Sequence, residues 1–232
     1  MAFDDRRIIR RRRNRRLDRE TDMRIDNTNE IEALLNFPNE GGKGTFYRFA
    51  LILRKKDYSP ENPLPLVYKD GRREMCVRQW IVTNRDEALA AIPDMKSLAD
   101  LTGGRIYLGL DRKRCLGALR AMRSSIDVAL DQLVDAGCPP NFGRLLNRMA
   151  MSAAAVAEAS DHRGRRWLFD VDTTDKRVVR EVEDVCVSGY VATLPTVNGY
   201  HVIAERTFNA KALVLPENVD LKENAMTLIY AG

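Results

Sequence analysis

Apolar and polar positions change period several times along this chain, and each change marks an element. Thr45 to Arg54 (TFYRFALILR) and Met75 to Thr83 (MCVRQWIVT) are aromatic and β-branched enough to predict strands. Three prolines (Pro60, Pro63, Pro65) and Lys69-Asp70-Gly71-Arg72 lie between them, so the pair predicts an antiparallel hairpin with a long loop. Asn84 can cap a helix reaching about Leu101, with Ala88, Leu89, Ile92, Met95 and Leu98 at helical spacing. Pro93 should kink or divide that helix. Gly103-Gly104 ends it, and Arg105 to Leu110 (RIYLGL) predicts a third strand.

A longer helix is expected from Arg112 to about Asp135, its apolar face formed by Leu116, Leu119, Met122, Ile126, Leu130 and Leu133. Gly137 to Pro140 breaks the chain. Gly143 to Ser160, rich in alanine, predicts another helix packed closely on a neighbour. Arg165 to Val171 predicts a buried strand, and Thr174 or Asp175 caps a helix over Lys176 to Val187. Tyr190 to Leu194 and Tyr200 to Glu205 predict strands joined through Asn198-Gly199, a tight-turn signal. Lys211 to Leu215 and Met226 to Ala231 are expected as short closing strands, and Glu30 to Phe37 as a short helix. Together these elements predict an α/β (α+β) fold: a mixed or antiparallel sheet with flanking helices, in one domain over residues 31–232 behind a tail over residues 1–30.

Composition narrows the setting. The 232 residues are 44% hydrophobic and 31% charged, as expected of a globular protein, and no apolar run is long enough to span a membrane. Four separated cysteines form no C-x-x-C pair, which fits free thiols in a cytoplasmic setting better than zinc or disulfides. Charge is concentrated at the start. Residues 1–20 carry nine arginines against Asp4, Asp5, Asp18 and Glu20, an excess equal to the +5 of the whole chain. Arg10, Arg11, Arg12, Arg13, Arg15 and Arg16 form the densest part. Such a run suits phosphate backbones through charge and bidentate hydrogen bonds. A solubilising tail, or a segment docked on an acidic partner, has the same composition.

Candidate chemistry centres on Arg165-Arg166-Trp167-Leu168-Phe169-Asp170-Val171-Asp172. Strand side chains alternate, so Asp170 and Asp172 point to one face. Two carboxylates there suit a hard divalent cation such as Mg²⁺; a solvated turn before the next helix would carry the same pair. His201 follows the Asn198-Gly199 turn and faces away from Tyr200, placed for acid–base work or phosphate contact, although a hydrogen-bonded structural histidine is the more ordinary reading of such a position. Arg112, Lys113 and Arg114 open a predicted helix, where cations oppose the dipole, so they are either phosphate contacts or a solvated first turn.

WLFDVD, then TVNGYHVI, then Val219-Asp220 before Met226 to Tyr230 resembles the three motifs of the archaeo-eukaryotic primase superfamily. The closing Gly-Tyr-His and Leu-Ile-Tyr strands also resemble uncharacterised proteins of tailed bacteriophages, whose setting is the bacterial host cytoplasm. The primase resemblance covers about residues 165–232. It implies an αβ module ahead of a sheet like an RNA-recognition domain. It further implies Asp170, Asp172 and Asp220 as ligands of Mg²⁺ or Mn²⁺, and His201 as a contact to a nucleoside triphosphate. The implied function is metal-dependent nucleotidyl transfer on DNA or RNA, with Arg112, Lys113 and Arg114 as further phosphate contacts and a replication or transcription protein as a possible partner. A non-catalytic nucleic-acid- or protein-binding adaptor on the same fold is the alternative, including a component of a phage complex. The pattern departs from the family's in that no clear basic residue is expected after the third motif.

Overall fold

The computed structural model describes residues 24–38, 44–57, 74–137 and 142–232. The arginine-rich run, the proline-rich loop and residues 138–141 lie outside the described residues. Among the described residues the fold is mixed α+β, with two antiparallel sheets and five α-helices.

The first sheet has six strands. β1 (Ile25–Asp26), β10 (Met226–Ala231), β4 (Arg105–Gly109), β2 (Thr45–Arg54) and β3 (Glu74–Val82) lie side by side in that order, and β5 (Lys113–Arg114) pairs with the start of β2. The expected β2–β3 hairpin is present, with Phe49 opposite Trp80. β1 falls inside the stretch expected to be tail: Ile25 pairs with Ala231, so the fold begins before residue 31. The second sheet has four strands, ordered β7 (Tyr190–Pro195), β8 (Tyr200–Glu205), β6 (Arg166–Val171) and β9 (Val219–Lys222).

Helices cover the sheets according to their apolar spacing. α1 (Ile31–Leu34) sets both of its end residues into the core. α2 (Arg85–Thr102) packs Ala88, Met95 and Ala99 with Tyr47, Phe49, Leu51, Ile106 and Leu108 of the first sheet. Asn84 caps it by accepting from the Glu87 N–H, and the helix closes at Gly103, which takes the left-handed conformation with φ 63°. Pro93 does not divide it. A proline costs about 3 kcal/mol in a helix interior, and here packing on both sides of Pro93 outweighs that cost.

α5 (Lys176–Val185) buries Val179 and Val182 against Trp167, Phe169, Val171, Val202 and Ala204. Asp175 caps it, accepting from the Arg177 N–H. The opposite face of the second sheet sends Leu168, Ile203, Ala192 and Leu194 into the core shared with the first sheet. Strand β6 is therefore covered on both faces. That explains its nearly unbroken apolar sequence and isolates Asp170 as its one internal carboxylate.

Several boundaries differ from expectation. α3 (Cys115–Ala136) starts three residues late because Lys113 and Arg114 are strand partners of Phe46 and Thr45. α4 (Phe142–Ala153) ends early, and single 3-10 turns at Ala157–Ala159 and His162–Gly164 follow it. Lys211 to Leu215 is not a strand: Ala210–Ala212 forms a 3-10 turn, and Val219–Lys222 takes the edge beside β6. The apolar stripe expected to bury α3 is largely in solvent, with Leu116 59% and Leu119 63% exposed.

Candidate functional site

β6 is flanked by β8 and β9, and register decides what meets across it. Asp170 pairs with His201 on one side and with Asp220 on the other. Residues directly opposite in an antiparallel pair share a face with Cβ atoms about 5 Å apart. The two halves of the sequence signal, separated by about thirty residues, thus stand abreast. Beyond the end of β6 the Asp172 N–H donates to the Asn218 carbonyl at 2.9 Å, which continues the ladder and keeps Asp172 in phase with Asp170.

Asp170, Asp172 and His201 all line one cavity of about 720 Å³ between the two sheets. Its opposite wall comes from the first sheet: Arg54 at the end of β2, Arg105 and Tyr107 of β4, and Met226 and Leu228 of β10. The Thr196–Asn198 turn closes one end. Asp220 shares the face but not the cavity, and it is exposed.

His201 is buried and held from both sides. Its Nε2 lies 3.4 Å from Asp170 Oδ1, and its Nδ1 lies 2.9 Å from the Thr227 hydroxyl on β10. Thr227 thus ties the ring to the first sheet and limits its rotation. Lys222, two residues after Asp220, donates to the other Asp170 oxygen. The His201 ring and the Lys222 ammonium hold the Asp170 carboxyl well below the usual carboxylate range, overcoming the opposing effect of its burial. Asp170 is therefore ionised and already carries two partners.

The cations across the cavity are paired as well. Arg54 Nε lies 2.9 Å from Glu74, with its Nη1 donating to the Tyr107 hydroxyl at 3.2 Å; Arg105 pairs with Asp57. These groups give the cavity Asp170 and Asp172 on one wall and two guanidinium groups on the other, the latter paired with Glu74 and Asp57.

The three-residue basic patch does not join this site. Arg112 is buried, donating to Asp161 and to the Asn36 carbonyl. Lys113 is buried too, donating to the Val156 carbonyl, the Ser160 hydroxyl and Asn224. Arg114 is exposed at the head of α3, away from the cavity lining. Arg112 and Lys113 pin the helical segment to the sheets, because both side chains turn inward before α3 begins, while Arg114 points to solvent. Sequence reasoning missed Arg54, Arg105, Thr227 and Lys222. For Lys222 a signal exists: in Val219-Asp220-Leu221-Lys222, alternation sets Lys222 on the face of Asp220 once that stretch is read as a strand.

As a metal site, the donors fit one mode and not another. Among the described residues no group of three or more His, Cys, Asp or Glu side chains is placed to hold an ion, so an all-protein cage does not fit. Asp170 and Asp172 do supply hard oxygen donors on one cavity wall, which suits Mg²⁺ held by one or two carboxylates together with waters and substrate phosphates. Comparison with protein-family models, curated proteins and solved structures finds no match for this chain.

Proposed function

We propose that the chain is a metal-dependent nucleotidyltransferase of primase–polymerase type, acting on nucleic acid and nucleoside triphosphates in the cavity between the sheets. The observation that carries this reading is the row His201–Asp170–Asp220 across three adjacent strands, with Asp172 in phase and Arg54 and Arg105 facing it. Asp170 and Asp172 would hold Mg²⁺ or Mn²⁺, with Asp220 beside them. When bound, the ion would offset charge on the attacking and leaving oxygens.

The protein groups have separate tasks. His201, fixed by Thr227, would present Nε2 to a phosphate oxygen. Lys222, which lines the same cavity beside Asp170, would neutralise a second phosphate oxygen. Arg54 and Arg105 can trade Glu74 and Asp57 for phosphates of the nucleotide or of the nucleic-acid strand, with bidentate geometry. The arginine tail would add affinity for the strand without reading its sequence.

The test is incorporation of a labelled nucleoside triphosphate on DNA and RNA templates, primed and unprimed, with Mn²⁺. The wild type should extend or start a chain, and Asp170→Asn with Asp172→Asn should lower the rate about a hundredfold or more, about 3 kcal/mol of barrier. No incorporation on any template would contradict the reading. One observation favours the alternative, a non-catalytic adaptor: both Asp170 oxygens already have partners within the chain. In that case Asp170 fastens β9 to β6 and nucleic acid binds without turnover.

A further inference from the structure

The exposed stripe of α3 has a regular period. Leu116, Leu119, Arg123, Ile126, Leu130 and Leu133 follow one another at alternating steps of three and four residues, the a/d spacing of a two-stranded coiled coil. Five of them are open to solvent: Arg123 and the apolar Leu116 59%, Leu119 63%, Ile126 36% and Leu130 54%. α4 does not cover this stripe, since it meets α3 around Ser125, Val128 and Ala129 on another side. A helix of 22 residues is about 33 Å long, enough for the stripe to act as a seam against a second helix.

We propose that α3 pairs with α3 of a second copy of this chain, antiparallel, across a two-fold axis. Charge picks the occupant and the direction. In an antiparallel pair a positions face d positions, so Leu116 meets Leu133 of the second copy, Leu119 meets Leu130 and Arg123 meets Ile126. Every contact then recurs in reverse, as a two-fold interface requires. Arg120 and Asp127 both flank the seam on the side away from α4, seven residues apart, and both are exposed. In this register Arg120 of one copy faces Asp127 of the other, twice. A parallel pair would set Arg123 against its own copy and leave Arg120 and Asp127 unmatched. Within one chain Asp127 has only a 3.9 Å contact to Arg123, with both side chains mostly in solvent, so it is available to the second copy.

The test is sedimentation equilibrium of the full chain over a range of concentrations. The wild type should dimerise. Arg120→Asp and Asp127→Arg each oppose like charges at both flanking pairs and should weaken the dimer about tenfold or more. Mixed one to one, the two variants should form a heterodimer, and the double variant Arg120→Asp/Asp127→Arg should dimerise again. All of these side chains are exposed, so circular dichroism should be unchanged. A wild type that stays monomeric at every concentration would overturn the proposal and leave the stripe to a different partner. A dimer indifferent to both single swaps would overturn it as well.

Discussion

At the scale of single residues, the contact between Lys222 and Asp170 decides how the candidate site can work. The ammonium occupies one oxygen of the carboxylate that a divalent cation would use, so the two would compete for it. Lys222→Met should therefore tighten Mn²⁺ binding to the nucleotide-free protein several-fold and weaken nucleoside-triphosphate binding. Titration of each ligand separately checks both signs. Unchanged Mn²⁺ affinity would mean that Asp170 is not a ligand.

Lys113 offers a second test at this scale, away from the cavity. Burial pushes its ammonium pKa down to about 8, with Arg48 and Arg165 adding to the shift and Asp111 opposing it. A lysine with a lowered folded-state pKa penalises the fold while it is charged. Wild-type stability relative to Lys113→Met should therefore rise between about pH 8 and pH 10.4, where the unfolded chain binds more protons. The expected gain is on the order of a few kcal/mol, read from denaturant midpoints at each pH. A flat difference would show that the amine is not desolvated in solution.

At the scale of elements, the site depends on how β8 approaches the end of β6. Thr196 and Gly199 close the turn, the Thr196 N–H donating to the Gly199 carbonyl at 2.8 Å. A Cβ at Gly199 would collide with the Val171 carbonyl and lie 2.9 Å from the Thr173 nitrogen. Both are backbone and give little. Gly199→Ala should therefore cost about 1–3 kcal/mol and displace the Asp172 segment. Thermal melting and Mn²⁺ titration should both respond, whereas Gly143→Ala, which meets nothing within 4 Å and lies in helix α4, should leave Mn²⁺ binding unchanged and raise rather than lower the melting temperature.

Most of these elements were legible from sequence. β2, β6 and β8 fall where their apolar residues placed them, because side-chain alternation and turn residues are local signals. Two kinds of feature were not legible. β9 is a four-residue edge strand made by pairing with β6 rather than by its own composition. α3 shows the opposite failure: its apolar stripe is real, but periodicity says which residues share a face and not what that face meets. Within the site, Asp170, Asp172 and His201 were readable from strand phase. Arg54, Arg105 and Thr227 come from the other sheet, and only tertiary packing brings the two arginines to the cavity and the Thr227 hydroxyl to His201.

At the scale of the whole molecule, two surfaces stand apart: a charged cavity between the sheets, and an exposed apolar stripe on α3. Among the described residues no helix is long and apolar enough to cross a membrane. The arginine-rich segment adds a third region, whose contribution to binding can be measured by removing it. Deleting residues 2–20 should flatten the dependence of nucleic-acid affinity on salt, since every phosphate that the arginines no longer neutralise takes nearly one unit from the slope. The thermal midpoint should stay within a degree or two. A large fall in the midpoint would show that the segment packs on the fold.

The central claim is that Asp170 and Asp172 hold a catalytic cation in the cavity. Calorimetric titration with Mn²⁺, with and without a nucleoside triphosphate, tests it most directly when wild type is compared with Asp170→Asn/Asp172→Asn. Saturable binding to the wild type, strengthened by nucleotide and absent from a variant that still melts cooperatively, is the predicted result. No Mn²⁺ binding to the wild type under either condition, or equal binding to the variant, would contradict the claim.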